Sequence, residues 1–221
     1  MPRADAFITE ILERFEGAGR RRGYVPLQQG RKGQEQTARV MGNSGVTIGT
    51  GVDLGQHSRE ALEQMGVPAT IIGALVPYLG LQKEAALAKL QTCPLVLAED
   101  AVLALDRAVI GHFITRMEER CNRAVQGFSG KRRPACFADR AKEVQAVLVS
   151  LAYHLGFGGF PRTFALLVSE AYREAIAELH NSAAWNHRYI YRRREEAALL
   201  EEACRREGAS PLARAVPAAG E

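Results

Sequence analysis

The chain has 221 residues, 47% hydrophobic and 24% charged, enough to bury a sizeable core as one domain or two tightly joined lobes. Its 29 basic and 25 acidic side chains leave a net charge of +4, a mild balance that suits an anionic polymer and does not by itself imply nucleic acid. No apolar run approaches the roughly 20 residues of a membrane span, which argues against membrane insertion.

The first element is a helix over Ala4 to Phe15, because Phe7, Ile8, Ile11, Leu12 and Phe15 recur at the spacing of one apolar face. This start, MPRADAFITEILERFEG, has helical periodicity with acids where a signal peptide has an apolar core, so the expectation is synthesis in the cytoplasm without a signal peptide. Gly17 and Gly19 end the helix and leave Glu16 at its C-terminus. There the negative end of the macrodipole disfavours a carboxylate and tends to raise its pKa, as a general acid requires. The alternative is a solvated end residue like Glu10 or Glu13. The segment from Gly17 to Gly45, rich in Gly, Arg and Gln, reads as a loop with short strands.

The stretch GVTIGTGVDLG, Gly45 to Gly55, is the most informative part of the chain. As one straight strand, Thr47 and Asp53 would stand roughly 20 Å apart. Gly49-Thr50-Gly51 is a suitable reversal, since glycine accepts the positive φ of tight hairpins, and it would return Asp53 beside Thr47. Val46, Ile48, Val52 and Leu54 are then left to pack the hairpin on a core. Two carboxylates and a threonine so placed can hydrolyse a glycosidic bond, one as proton donor and the others holding the attacking water. The alternative is an ordinary hairpin whose Asp only ends a strand.

After Asp53 the pattern is helical: from near Ser58, then Ala69 to Tyr78, Gln82 to Thr92, and a long periodic stretch from Pro94 to Val125 that Gly111 is expected to interrupt. Gly127 to Ala138 is a basic loop. The most apolar helix, Val144 to Leu155, reads as the centre of a helical lobe and ends at Gly156-Phe157-Gly158-Gly159. Helices follow at Thr163 to Ala171, Tyr172 to Asn181 and His187 to Arg205, and a frayed tail from Glu207. Cys93, Cys121, Cys136 and Cys204 form no CxxC pair and no metal-ligand spacing, which predicts buried thiols, with one disulfide as the alternative. Trp185, the only tryptophan, is a core residue or a sugar platform.

With FEG upstream, TIGTGVDLG in the middle, then VLVSLAYHLGFGGF and RYIYRRREEAALL, the chain resembles the phage-type lysozymes, and most closely the pesticin-like toxin domains. Phage lysozymes carry Glu, then Asp, then the Thr of a TIGxGH segment. Here no aspartate lies between Glu16 and Thr47, and Asp53 follows the threonine, which is the pesticin-like order. The resemblance implies Glu16 as acid, Thr47 as water-positioning hydroxyl and Asp53 as second carboxylate. It implies an α+β, mostly helical, lysozyme-like fold: a catalytic α/β lobe over residues 1–57, a helical lobe over 58–206 with a sugar groove between them, and a tail over 207–221. Arg192 and Arg193 match an arginine pair of the family's last helix and are implied to bind substrate. An arginine near Glu16 would oppose the pKa rise proposed for it. A solvated face formed by Arg192 to Arg194 with Glu195 and Glu196 is the alternative. His154, standing where the family has Asn, is implied to be a hydrogen-bonded cap.

The expected function is that of a muramidase cleaving the bond between N-acetylmuramic acid and N-acetylglucosamine. No metal or cofactor is expected. The expected partners are peptidoglycan strands and a periplasmic immunity protein, for a monomer that reaches the cell wall by a secretion machine or a holin, as a toxin or an endolysin. The competing expectations are a catalytically inactive glycan-binding module, and an Arg-rich nucleic-acid binder motivated by RYIYRRR and by Lys131 to Arg133.

Overall fold

The computed structural model describes residues 4–17, 19–28, 39–130, 132–185 and 189–209. Helix α1 (Asp5–Glu16) is followed by β1 (Arg20–Tyr24), β2 (Leu27–Gln28), β3 (Arg39–Val40), β4 (Thr47–Gly49) and β5 (Val52–Asp53). Helices α2 (Arg59–Gln64), α3 (Ala69–Leu75), α4 (Lys83–Thr92), α5 (Glu99–Gln126), α6 (Lys142–Leu155), α7 (Pro161–Val168), α8 (Tyr172–His180) and α9 (Ile190–Ala209) complete the chain. The fold is mostly helical α+β, as expected from the sequence. Residues 29–38, which hold the basic pair Arg31-Lys32 and Glu35, lie outside the described residues, as do Lys131, Arg188 and the tail from residue 210.

Two compact units are present, one of Leu12–His112 and one of Met1–Ile11 with Phe113–Glu221. Compactness therefore divides the chain differently from a lobe boundary at residue 57. In the first unit α2 to α4 and the start of α5 gather with the strands, because Leu62, Ile72, Leu75 and Leu105 are buried with Val46, Ile48, Val52 and Leu54. Strands β1, β4 and β5 form an antiparallel sheet in the order β1-β4-β5, and β2 pairs with β3. Residues 95–97 extend the outer side of β1, with Gly23 donating to the Leu95 carbonyl and Leu97 donating to that of Arg21, both at 2.9 Å.

The second unit is built on α6, whose residues Glu143 to Ala152 are all buried. Its end is set by Gly156, at φ 73°, whose N–H returns to the Ala152 carbonyl. Helix α5 runs unbroken for 28 residues, so Gly111 does not interrupt it. A glycine inside a helix costs only about 1 kcal/mol against alanine, a penalty that burial of Val109, Ile110 and Ile114 outweighs. The thiols differ from expectation as well: Cys121 is buried but Cys93 is exposed, and no described cysteine is in a disulfide.

Candidate active site

The Gly49-Thr50-Gly51 reversal folds as its glycines dictate, with φ +62° at Gly49 and +80° at Gly51. It pairs Thr47 with Asp53 and Ile48 with Val52. The Leu54 amide donates to the Val46 carbonyl at 2.8 Å, so Val46 and Leu54 are a hydrogen-bonded pair. Thr47 and Asp53, one step along, are then the non-hydrogen-bonded kind, with Cα atoms about 4.5 Å apart and side chains on one face.

On its other side Thr47 is paired with Tyr24 of β1. An irregularity between Arg20 and Tyr24 shifts the register, so that Tyr24, Thr47 and Asp53 form one row across the three strands. The tyrosine hydroxyl reports its surroundings. Burial raises its pKa, the nearby Arg20 lowers it, and the carboxylates of Glu16 and Asp53 raise it further. Sequence reasoning missed Tyr24, because its membership of the row depends on a bulge that leaves no local signal.

Glu16 is the last residue of α1, where Gly17, at φ +89°, turns the chain and donates to the Glu13 carbonyl at 2.9 Å. Its side chain lies against the hairpin turn: a β-carbon built on Gly51 would sit 3.0 Å from Glu16 Oε2 and 3.1 Å from its Cβ. Glu16, Thr47 and Asp53 thus all belong to the first unit and to one hairpin and its immediate cover.

Asp53 is tightly held. Its Oδ1 accepts from the amides of Gly45 and Gly55, each at 2.9 Å, and caps a 3₁₀ turn over Leu54–Gln56. His57 lies within electrostatic reach of Asp53. Burial lowers the His57 pKa, the Asp53 charge raises it, and His112 lowers it. Thr47 is buried, at 4% exposure, whereas Asp53 is partly open. The turn itself is clamped by Asp106 of α5, which accepts from the Thr50 amide at 2.8 Å and from the Thr50 hydroxyl at 2.9 Å. Burial raises the Asp106 pKa against the opposing effect of these two bonds.

Arg192 and Arg193 belong to the second unit. Both are buried, and Glu196 Oε1 accepts from Arg193 Nη2 at 2.9 Å and from the Ser150 hydroxyl at 2.6 Å. Arg192 donates from Nη2 to Ser150 Oγ at 3.0 Å. A solvated charged face is therefore the wrong description of Arg192, Arg193 and Glu196. His154 faces Arg193 Nη2 through Nδ1 at 3.4 Å and meets the Tyr189 ring edge-on at 4.2 Å. Burial and the charges of Arg192 and Arg193 push its pKa down to about 3, so it stays neutral and can accept from the guanidinium. Trp185 donates from Nε1 to the Glu178 carbonyl at 2.8 Å, and the Arg193 guanidinium stands 5.2 Å from its ring centroid.

No group of three or more potential ligand residues suited to a metal occurs among the described residues. A helix ending in a glutamate, set against a glycine-turned hairpin that pairs a threonine with an aspartate in a mostly helical α+β chain, is a lysozyme-like arrangement. Residues 7–171 match the family model described as pesticin, bacterial toxin homologue of phage lysozyme, C-terminal, and the chain belongs to this family. No curated protein matches the chain.

Proposed function

We propose that this protein is a peptidoglycan hydrolase, a muramidase that cleaves the β-1,4 bond between N-acetylmuramic acid and N-acetylglucosamine. The observation that carries the reading is the pairing of Thr47 with Asp53 across a hairpin whose turn packs against Glu16. Protonated Glu16 donates to the leaving oxygen. Thr47 and Asp53 hold the attacking water on the opposite face of the sugar, Asp53 being fixed through Oδ1 by the Gly45 and Gly55 amides. That division of labour inverts the anomeric centre and requires carboxyl groups about 6.5–9.5 Å apart, against about 5–5.5 Å for a retaining enzyme. Family membership supports a lysozyme-like toxin acting on peptidoglycan. Delivery into the periplasm of a target cell and an inhibitor protein protecting the producer complete the proposal.

The test is release of soluble muropeptides from purified sacculi. Glu16→Gln should lower the rate by about 10²–10⁴-fold, the range of a lost general acid. Asp53→Asn keeps an oxygen for the Gly45 and Gly55 amides and loses only the charge, so its loss of rate should come without loss of fold. Full activity in Glu16→Gln would remove the mechanism. Wild type that binds sacculi and releases nothing would point to a glycan-binding module.

A further inference from the structure

The loop that joins α5 to α6 has no part in the proposed reaction, and it borders a cavity of about 510 Å³ in the second unit. The cavity is lined by Phe128 of the loop and by Ala165, Leu166 and Val168 of α7, with the exposed Arg162 at its edge. Apart from Arg162 and the hydroxyls of Ser129 and Ser169, the lining side chains carry no polar atom. Such a wall has few groups to orient a polar ligand and suits an alkyl chain. Phe128 remains 37% exposed there, and an aromatic ring at the mouth of an apolar cavity matches a boundary between water and lipid.

The way the loop is tied brings cations to the same rim. The chain leaves α5 past Phe128 and Ser129 in the cavity wall and is next fixed at Ala135, whose amide donates to Glu170 Oε1 at 2.7 Å. Glu170 follows Ser169, which lines the cavity. The Ala135 carbonyl accepts from Arg140 Nη2 at 2.7 Å, and the same guanidinium holds the Leu167 and Val168 carbonyls at the end of α7. Arg132 and Arg133 therefore lie on a short span with both ends fixed at the cavity. Both are exposed, and among the described residues no ion pair engages either. Arg162 is paired with Glu178 at 3.4 Å, so the uncompensated charge of the rim is that of Arg132 and Arg133.

We propose that this rim docks on a bilayer of anionic phospholipid, Phe128 and the cavity meeting the acyl boundary while Arg132 and Arg133 meet the phosphates. A soluble anion would satisfy the arginines and leave the cavity unused; a purely apolar partner would do the reverse. An acidic lipid surface answers both.

The full chain is mixed with vesicles of phosphatidylcholine, or of phosphatidylcholine and phosphatidylglycerol in equal parts, and the bound fraction is read by flotation. Binding should require phosphatidylglycerol and weaken as salt rises. Arg132→Gln/Arg133→Gln should weaken it about thirtyfold, on the worth of two cations near an anionic surface. Phe128→Ser, with both arginines in place, should weaken it about fivefold, for a ring that is already partly buried. Urea unfolding and muropeptide release from lipid-free sacculi should match wild type in both variants. Equal binding to the two kinds of vesicle, or full binding by the double variant, overturns the docking surface. So does full binding by Phe128→Ser, or a DNA oligonucleotide held as tightly as the vesicles, because charge alone then explains the affinity. Wild type that binds phosphatidylglycerol vesicles yet releases no muropeptides would remove the muramidase reading and leave the docking surface standing.

Discussion

Gly51 and Glu16 occupy space that leaves no room for another carbon. A β-carbon at Gly51 would come 3.0 Å from Glu16 Oε2, closer than such contacts normally run, and its φ of +80° is strained for any L side chain. Gly51→Ala should therefore carry two separable penalties. The backbone penalty is about 1–2 kcal/mol, read by urea unfolding. The Glu16 side chain must also give by a few tenths of an ångström, which should lower muropeptide release further, though by less than the about 10²-fold that a misplacement of about 1 Å can cost. Gly66 provides the control, with the same φ of +80° and nothing within 4 Å of a built β-carbon. Gly66→Ala should lose similar stability and keep its activity. Comparable activity losses in both variants would mean that strain, and not the Glu16 contact, is responsible.

At the level of the element, the hairpin is legible in sequence because its determinants are local. Two glycines at the right interval reverse the chain, and alternation of Val46, Ile48, Val52 and Leu54 chooses the buried face, as burial of all four bears out. What clamps it is not local. Asp106 reaches Thr50 from 56 residues away, and nothing in TIGTGVD or in the α5 periodicity announces the partnership. Tyr24 was hidden for a related reason, its place in the row being fixed by an irregular register between Arg20 and Tyr24. Gly49 completes the clamp, for a β-carbon there would stand 2.3 Å from Asp106 Oδ1. Asp106→Ala should destabilise the protein by about 2–4 kcal/mol, leaving the Thr50 amide and hydroxyl without their acceptor. Asp106→Asn keeps an acceptor for the amide, and the Thr50 hydroxyl can turn to accept from the new NH₂ group, so about 1 kcal/mol is expected. Paired measurements of unfolding and muropeptide release decide the matter: equal losses in both variants would show that the Thr50 bonds are not what Asp106 contributes.

Among the described residues charge is both exposed, as at Arg123 and Arg162, and buried, as at Arg140 and Glu143 and at the arginine pair of α9. The arginine pair of α9 lies inside the second unit, where Glu196, Ser150 and a neutral His154 receive it. His154 ties that arrangement to pH. Its folded pKa is pushed down to about 3 by burial and by Arg192 and Arg193, while the unfolded chain takes up the proton near the ordinary value of about 6.5. The unfolded state therefore binds more protons throughout that window, and stability falls as pH falls. The contribution is complete above pH about 6.5 and is lost progressively toward pH about 3. Between pH 7 and pH 5 the loss from this group should be about 1–2 kcal/mol. His57, whose pKa is also lowered by burial, adds a loss of the same sign, so the comparison must be made against a variant and not against a calculated total. His154→Gln retains an oxygen to accept from Arg193 and cannot titrate. Urea unfolding at the two pH values should show a smaller acid loss in His154→Gln than in wild type, the difference being the share of His154. Identical losses would mean that the imidazole is free to protonate in the folded protein, and that Arg193 does not need it neutral.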